Sequence, residues 1–471
     1  MSFAKTAARF WRHAVDTASC WAKVSSGVSG RAIQGFLKRR VKARCPLDPQ
    51  GGGMKVLVLG AGVVGTAAAY YLASDGHEVT VIERHEAAAR GTSQSNAGLV
   101  SPGDATAWAS PAALKTFLRG LWNHDLGIKV RLRLDPYFYA WSLRFLRECT
   151  VARLRANTNV KLRLALYSRD CINALSETTG IRYDERKKGI LYFFRSQKSF
   201  DTGTDNYRYL SEHGLPIEIV GRDRLAELEP GLAGVKDKIA GGVYSPIDQT
   251  GDSKQFVDRL AAYVAEKLGV KFLFGTTVQG LDVEGDHVRA VMTSAGPVTG
   301  DAVVISMGPE SGLIGRRYGI DLPVYPVKGY TATIPLEDEN KGPTMGGADE
   351  DRLIGYSRLG NRLRMSSTAE FTGFDRSFKP SDFRTILETG KDLFPGAFDE
   401  KKAVLWAGLR PMMPNSVPVI GQAKYRNLYL DTGHGHVGWT MACGSGKFLS
   451  DLVAGRKPEI DPQGLLYGTA G

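Results

Sequence analysis

Residues 54–83 read MKVLVLGAGVVGTAAAYYLASDGHEVTVIE, and this stretch decides the fold. KVLVL, from Lys55 to Leu59, is a nearly continuous apolar run, the pattern of a parallel strand covered on both faces. GAGVVG follows at once over residues 60–65, and TAAAYYLASDG then carries Ala69 and Leu72 at helical spacing. EVTVIE supplies a second strand that ends on an acid at Glu83. In such a βαβ unit Gly60 permits the sharp turn, Gly62 removes a side chain that would block a pyrophosphate, and Gly65 lets helix and strand approach closely. The helix start at Val63 and Val64 offers unpaired amides and a partial positive charge to phosphates. Glu83, with Arg84 beside it, stands where a ribose hydroxyl ligand is expected. A glycine-rich turn alone does not explain strand, glycines, helix, second strand and acid in register. An acid at this position disfavours a 2′-phosphate, which leaves FAD and NAD as the dinucleotides.

The chain has 471 residues, 43% hydrophobic and 23% charged, enough to bury a large core. Its formal charge of +12 is unevenly placed. Residues 1–53 hold ten Lys or Arg against Asp16 and Asp48, a net of +8, so the remainder carries only +4. That is too little to argue for a nucleic-acid groove. Five scattered cysteines, Cys20, Cys45, Cys149, Cys171 and Cys443, form no CxxC pair, which fits a reducing compartment better than a disulfide framework. No run of about 18 apolar residues is present to span a membrane.

The first 53 residues fit two readings. Phe3, Ala7, Phe10, Trp11, Ala14, Ala18 and Trp21 recur at helical spacing among basic residues, as in an amphipathic presequence or interfacial helix. Alternatively, the native chain starts at Met54, just before the first strand, and what precedes it is upstream sequence.

RGTSQSNAGLVSPG, residues 90–103, is dense in small hydroxyl, amide and glycine residues. Together with the first unit it resembles the FAD-dependent amine oxidoreductase family that contains D-amino-acid oxidase, glycine oxidase and sarcosine oxidase, and within it the small subunits of bacterial D-amino-acid dehydrogenases. The resemblance runs from Met54 to about Leu466. It implies FAD as cofactor, with Ser93, Asn96, Ala97 and Gly98 along the pyrophosphate and flavin ring, Val278 against adenine and Gly308 near the flavin. SPIDQTGD, residues 245–252, precedes an amphipathic helix (Phe256, Leu260, Val264, Leu268) that Thr250 or Asp252 would cap. Residues 271–311 read as strand, hairpin and strand, and GILYFF, residues 189–194, as a further strand.

The expected fold is α/β: an FAD-binding Rossmann-like domain of the glutathione-reductase type with an inserted, discontinuous α+β substrate domain. Residues 54–103, 246–321 and 406–455 would form the FAD domain and residues 104–245 and 322–405 the substrate domain. Residues 1–53 would be a basic extension and residues 456–471 a tail. In residues 137–149, Tyr137, Tyr139, Trp141 and Phe145 are read as packing residues.

GHGHVGWTMACGSG, residues 433–446, raises the question of a second nucleotide site or a metal site. Too little chain follows for another βαβ unit. His434, His436 and Cys443 lack a neighbouring carboxylate, so no metal site is expected. The remaining reading is a last strand, NLYLDTG, leading to a helix whose amides meet the flavin. Gly435, His436, Val437, Gly438, Trp439, Thr440 and Met441 are the expected contacts, and a positive helix end there would stabilise the reduced ring.

Amine oxidation on a flavin requires a fixed cation for the substrate carboxylate, and the planar fork of arginine suits it best. Arg410, in GLRP, matches the carboxylate-binding arginine of the family motif, and Tyr330 is a second candidate as a hydroxyl near substrate. The resemblance implies oxidative deamination of D-amino acids to 2-oxo acids and ammonia, with electrons passed to a quinone-type acceptor. It further implies a bacterial cytoplasmic location with peripheral association at the inner membrane. Two other functions fit the scaffold: a flavin oxidase of glycine, sarcosine, hydroxyproline epimers, opines or another secondary amine, and a non-catalytic flavoprotein assembly factor. His436, Asn415 and Met413 depart from the family pattern, where a small residue, an aspartate and a threonine are usual, and bear on the choice of substrate.

Overall fold

The computed structural model describes residues 53–113, 128–131 and 134–468. The expected helix within residues 1–53 therefore lies outside the described residues.

The KVLVL run forms the strand Lys55–Leu59, and four of its five residues are buried, as a strand covered on both faces requires. It lies inside a six-stranded sheet ordered Val419–Gln422, Leu428–Thr432, Ala302–Ile305, Lys55–Leu59, Glu78–Ile82 and Lys271–Leu273. All neighbours run parallel except the edge strand Val419–Gln422, which pairs antiparallel. The helix Val63–Ser74 buries residues on every side, because it is covered by the sheet, by Ser253–Leu268 and by the C-terminal helix Gly438–Val453. The fit between helices depends on two glycines. A Cβ on Gly446 would stand 2.9 Å from the backbone of Ala67 and Ala68, and one on Gly444 would stand 2.7 Å from the Cα of Ser168. Asp252 caps Ser253–Leu268 as expected, accepting from the amides of Lys254 and Gln255 at 3.0 and 3.3 Å.

The opposite face of this sheet is covered by a three-stranded antiparallel sheet, Val278–Glu284, His287–Thr293 and Gly296–Val298, which is the hairpin legible in the sequence. A separate nine-stranded sheet is drawn from both expected insertions. Its order is Val404–Met412, Tyr325–Pro335, Arg362–Phe371, Ile354–Leu359, Gly346–Asp349, Ile190–Phe194, Gly241–Ser245 and Glu218–Gly221, with Ile128–Val130 paired beside Arg362–Phe371. Val404–Met412 corrects one boundary. Residues 406–412, expected in the FAD domain, pair antiparallel with Tyr325–Pro335 along their whole length, from Val404 opposite Thr333 to Met412 opposite Tyr325. The chain rejoins the first sheet only at Val419. The expected tail is also anchored, since Leu465 is fully buried and its carbonyl accepts from the Ile420 amide at 2.8 Å.

Trp141 and Phe145 are core residues as read from the sequence, whereas Tyr139 is 48% exposed. Trp141 also donates its indole N–H to the Met412 carbonyl at 3.0 Å, tying the helix Pro136–Glu148 to the edge of the second sheet.

Replacing Gly446 by valine should cost about 1–3 kcal/mol, because the contact it crowds is helix backbone that cannot yield without moving the sheet. A lowered midpoint in urea unfolding checks this, and an unchanged midpoint would count against the packing described.

Candidate active site

A cavity of about 880 Å³ extends between the two sheets. At its nucleotide end the glycine motif behaves as its physics demands. Gly60 has φ +104°, and a Cβ there would meet the Ser306 carbonyl oxygen at 2.7 Å. A Cβ on Gly65 would stand 2.0 Å from the Gly60 oxygen, so Gly65 serves the close approach of helix and strand and does not itself line the cavity. Gly60, Gly62, Val63 and Val64 line it. The Val63 amide is already engaged, donating to Ser93 Oγ at 3.0 Å. Glu83 lines the same end and is held by two amides, Ala61 N to Oε2 at 2.8 Å and His85 N to Oε1 at 3.0 Å. Arg84 also lines it and pairs with Glu310 at 2.8 Å.

Of the remaining expected contacts, Ser93, Asn96, Ala97, Val278 and Gly308 reach the cavity. Gly98 does not. It adopts φ +73° beside the cavity, and a Cβ there would stand 2.6 Å from Ser357 Oγ. At the C-terminal loop, Gly435, His436, Gly438 and Trp439 line the cavity, but Val437, Thr440 and Met441 are buried behind it. Their side chains point into the helix packing, and Thr440 Oγ1 accepts from the Ser101 amide at 2.9 Å. The sequence could not separate the two sides of this turn because the 3₁₀ segment Gly435–Val437 precedes the helix.

His434, His436 and Cys443 diverge. His434 does have a carboxylate neighbour, contrary to the expectation, since it faces Asp431 three residues before it at 3.4 Å; His436 stacks on Trp108 at a centroid distance of 4.8 Å, and Cys443 is buried in the helix. Among the described residues no group of three or more His, Cys, Asp or Glu side chains could hold a metal ion.

The second sheet supplies the other wall. On Val404–Met412 the alternation of a strand turns Trp406, Gly408 and Arg410 to the cavity. Two glycines provide the space. A Cβ on Gly408 would meet the Trp406 ring at 1.9 Å, and one on Gly329 would stand 2.4 Å from the Arg410 guanidinium carbon. Opposite Gly329 the pairing register slips, from Lys328 with Glu370 to Tyr330 with Ser367, which is a β-bulge. Thr368, inside the bulge, has φ +67°, and its carbonyl accepts from Arg410 Nη1 at 2.6 Å. Burial pushes Arg410 down to about 10, although Asp104 partly offsets this.

Tyr330 does not take part in this wall. Gly329 and Thr331 face the cavity, so the intervening Tyr330 points to the other side of the strand. There it is 1% exposed, donates to Glu370 Oε2 and meets the Phe383 ring edge-on. The expectation of a hydroxyl near substrate is therefore replaced by a packing role.

Several groups on the wall and behind it were not singled out in the sequence. Asp104 lines the cavity, with 49% of its side chain open. Burial by the surrounding protein raises its carboxyl to about 6 against the pull of Lys161 and Arg410. Lys161 is fully buried, donates to the Thr106 carbonyl at 3.0 Å and is lowered to about 8 by burial, with Asp104 opposing. His436 is held well below its ordinary value by burial and then by Lys161 and Arg410, so it is neutral at pH 7. Glu350 lines the cavity, accepts from Tyr207 at 3.2 Å and is raised to about 8 by burial and then by Asp104. Asp248 accepts from Tyr192 at 2.7 Å and is raised to about 7, again chiefly by burial.

Because all three carboxyls are raised, the folded chain keeps protons that the unfolded chain has released between about pH 4 and pH 8. Their contribution to stability therefore falls as pH rises through that window. The Glu350→Gln protein should show a smaller loss of melting temperature between pH 5 and pH 8 than the wild type in a thermal unfolding series, and identical slopes would contradict the assignment.

The described residues suit a dinucleotide with a flavin. Gly308, at φ +57°, leaves open space where a side chain would stand, and the buried Trp439 indole N–H on the cavity wall finds no acceptor among the described residues. Comparison with known proteins agrees. Residues 55–452 match the DAO family, described as FAD dependent oxidoreductase. The chain is similar to D-amino acid dehydrogenase 2 of Mesorhizobium japonicum, with 88% identity over 415 residues, 88% of this chain and 100% of that protein. It is 44% identical to a D-amino acid dehydrogenase of Bradyrhizobium diazoefficiens over 412 residues, 88% of this chain and 98% of that one. Among solved structures, glycine oxidase from Geobacillus kaustophilus shares the fold with a TM-score of 0.69 and 23% identity, covering 88% of this chain and 98% of its own. The L-proline dehydrogenase from P. horikoshii does so with a TM-score of 0.65 and 18% identity, covering 86% of this chain and 94% of its own. A glycine-shaped nucleotide end, a cavity closed by a second sheet and a match spanning most of its length make this chain a member of the DAO family of FAD-dependent oxidoreductases.

Proposed function

We propose that this chain oxidises D-amino acids to 2-oxo acids and ammonia and passes the electrons to a quinone. The observation that carries the reading is Arg410, a half-buried guanidinium on the cavity wall of which, among the described residues, only Nη1 is committed to a protein carbonyl. The identity to proteins named D-amino acid dehydrogenase supports the choice of substrate and of stereoisomer.

Bound FAD would supply the hydride acceptor, held by Glu83 and the Gly60 to Val64 turn at one end and by Gly435 to Trp439 at the other. Arg410 would take the substrate carboxylate, leaving the amine and the α hydrogen to be oriented by the shape of the cavity. Trp406 and Trp108 line the cavity and would exclude water from the reacting centre. Neutral His436 can donate or accept a hydrogen bond at the cavity wall without placing a second cation beside Arg410.

Association with a membrane quinone fits the helix Pro136–Glu148. Its inner face carries Phe138, Trp141 and Phe145, and Phe145 lines the cavity. Its outer face exposes Tyr139, Leu143 and Leu146 together with Arg147, while Arg144 is paired with Asp321 at 2.8 Å. Residues 128–156 contain seven basic and two acidic residues, a net of +5, while all of residues 54–471 carry only +4. An apolar stripe with a basic surround suits an anionic lipid surface, where each such cation contributes about 1 kcal/mol. Among the described residues no helix is long and apolar enough to cross a membrane.

Anaerobic mixing of the FAD-loaded protein with D-amino acids should bleach the flavin band, and reoxidation by a soluble quinone should outpace reoxidation by air. Arg410→Lys should raise the substrate KM by at least about tenfold, from the loss of about 1.5–3 kcal/mol of charge-assisted bonding. Bleaching by glycine or sarcosine with rapid peroxide formation would favour an oxidase instead. Co-sedimentation should be greater with phosphatidylglycerol vesicles than with phosphatidylcholine vesicles and should fall in Leu143→Glu; equal binding to both vesicles would remove the membrane contact.

A further inference from the structure

The substrate wall is electrically ordered. Arg410 supplies the positive charge, and two carboxyl groups, Asp104 and Glu350, line the same cavity. Asp104 comes from the short turn Pro102–Asp104, while Glu350 follows the strand Gly346–Asp349 and is anchored by its amide to the Phe193 carbonyl at 3.0 Å. Behind them Asp248 is fixed by Tyr192 and by the Gly103 amide at 3.2 Å.

These acids are short of cations. The closest ion-pairing nitrogen to the Asp104 carboxylate among the described residues is His436 Nε2 at 3.8 Å, and burial keeps that imidazole neutral. Glu350 has the hydroxyl of Tyr207, a neutral donor. Lys161 lies buried behind Asp104 with its ammonium on the Thr106 carbonyl. Once a substrate carboxylate neutralises Arg410, Lys161 is the cation among the described residues that still opposes Asp104. Burial and the neighbouring acids hold Glu350 and Asp248 toward their neutral forms, and a cation brought among the three carboxyls favours their ionised forms and is bound by them, whereas an uncharged side chain leaves them as they are. Each cavity carboxylate also keeps acceptor capacity that an ammonium or guanidinium can fill.

Resting on the D-amino-acid reading above, we propose that Asp104 and Glu350 select substrates whose side chain ends in a cation, so that D-lysine and D-arginine are preferred to uncharged D-amino acids of similar length. The α-carboxylate is held by Arg410 and the terminal ammonium or guanidinium by the two carboxylates. No bond is made or broken by these acids, which act on specificity alone.

The test uses the FAD-loaded enzyme and compares kcat/KM for anaerobic flavin reduction by D-lysine with that by D-norleucine, its uncharged counterpart. D-Lysine should be favoured by at least about tenfold, as hydrogen bonding to charged groups warrants. The ratio should fall toward one in Glu350→Gln and in Asp104→Asn. A separate binding measurement needs no turnover: 6-aminohexanoate should bind the wild-type holoenzyme at least about tenfold more tightly than hexanoate, read from the flavin spectrum or by calorimetry. Equal binding of the two acids, or a preference for D-norleucine, would overturn the proposal while leaving D-amino-acid oxidation intact. Reduction by no D-amino acid would overturn both.

Discussion

A guanidinium set half-buried in a sheet wall is the constraint on which the rest of this site depends. Arg410 occupies space that exists only because residue 329 has no side chain, and its Nη1 is fixed by a carbonyl that a β-bulge turns toward it. The bulge places Thr368 in the left-handed region, which costs a threonine of order 1–3 kcal/mol and persists because the pairing on both sides holds it. One cation thus rests on three neighbouring strands at once. Tyr330 lies on the opposite side by the alternation of its own strand, and it is buried there together with Glu370.

The two sheets divide the work by their physics. A parallel sheet ends its strands in loops and helix starts rich in free amides, which suit phosphate and a ribose. The largely antiparallel second sheet presents every other side chain to one face, which suits a wall of graded size and charge. Helix packing joins both functions to stability. The C-terminal helix that begins at the cavity wall with Gly438 also presses Gly444 and Gly446 against two neighbouring helices, so the position of the flavin end of the cavity is set by close backbone contact in the core.

Legibility followed the locality of the cause. The first βαβ unit was legible residue by residue because the turn at Gly60 and the close approach of Gly65 to the Gly60 oxygen are constraints within a few positions, and Glu83 lines the cavity at the end of the next strand. The hairpin in residues 278–298 and the Asp252 cap were legible for the same reason. Arg410 was found through its motif, but its strand was assigned to the wrong sheet, since a GLRP turn back toward the nucleotide looks the same whether it ends one sheet or begins the other. Tyr330 was misread because the facing of a strand residue depends on a register that only its partner strand sets. Asp104, Lys161 and Glu350 passed unnoticed: a turn, a 29-residue helix and a strand end bring them together, and nothing within any one segment marks a charge for burial.

The most direct measurement addresses the space beside Arg410. In the FAD-loaded Gly329→Ala protein, the dissociation constant of a non-reacting carboxylate such as propionate can be read from the perturbed flavin spectrum and compared with the wild type. If Arg410 is the carboxylate site and Gly329 its housing, FAD content stays at the wild-type level while carboxylate affinity falls by at least about tenfold, the loss of one charge-assisted bond. Unchanged carboxylate affinity would contradict the account, because the guanidinium would then have been displaced without consequence for the group it is said to bind.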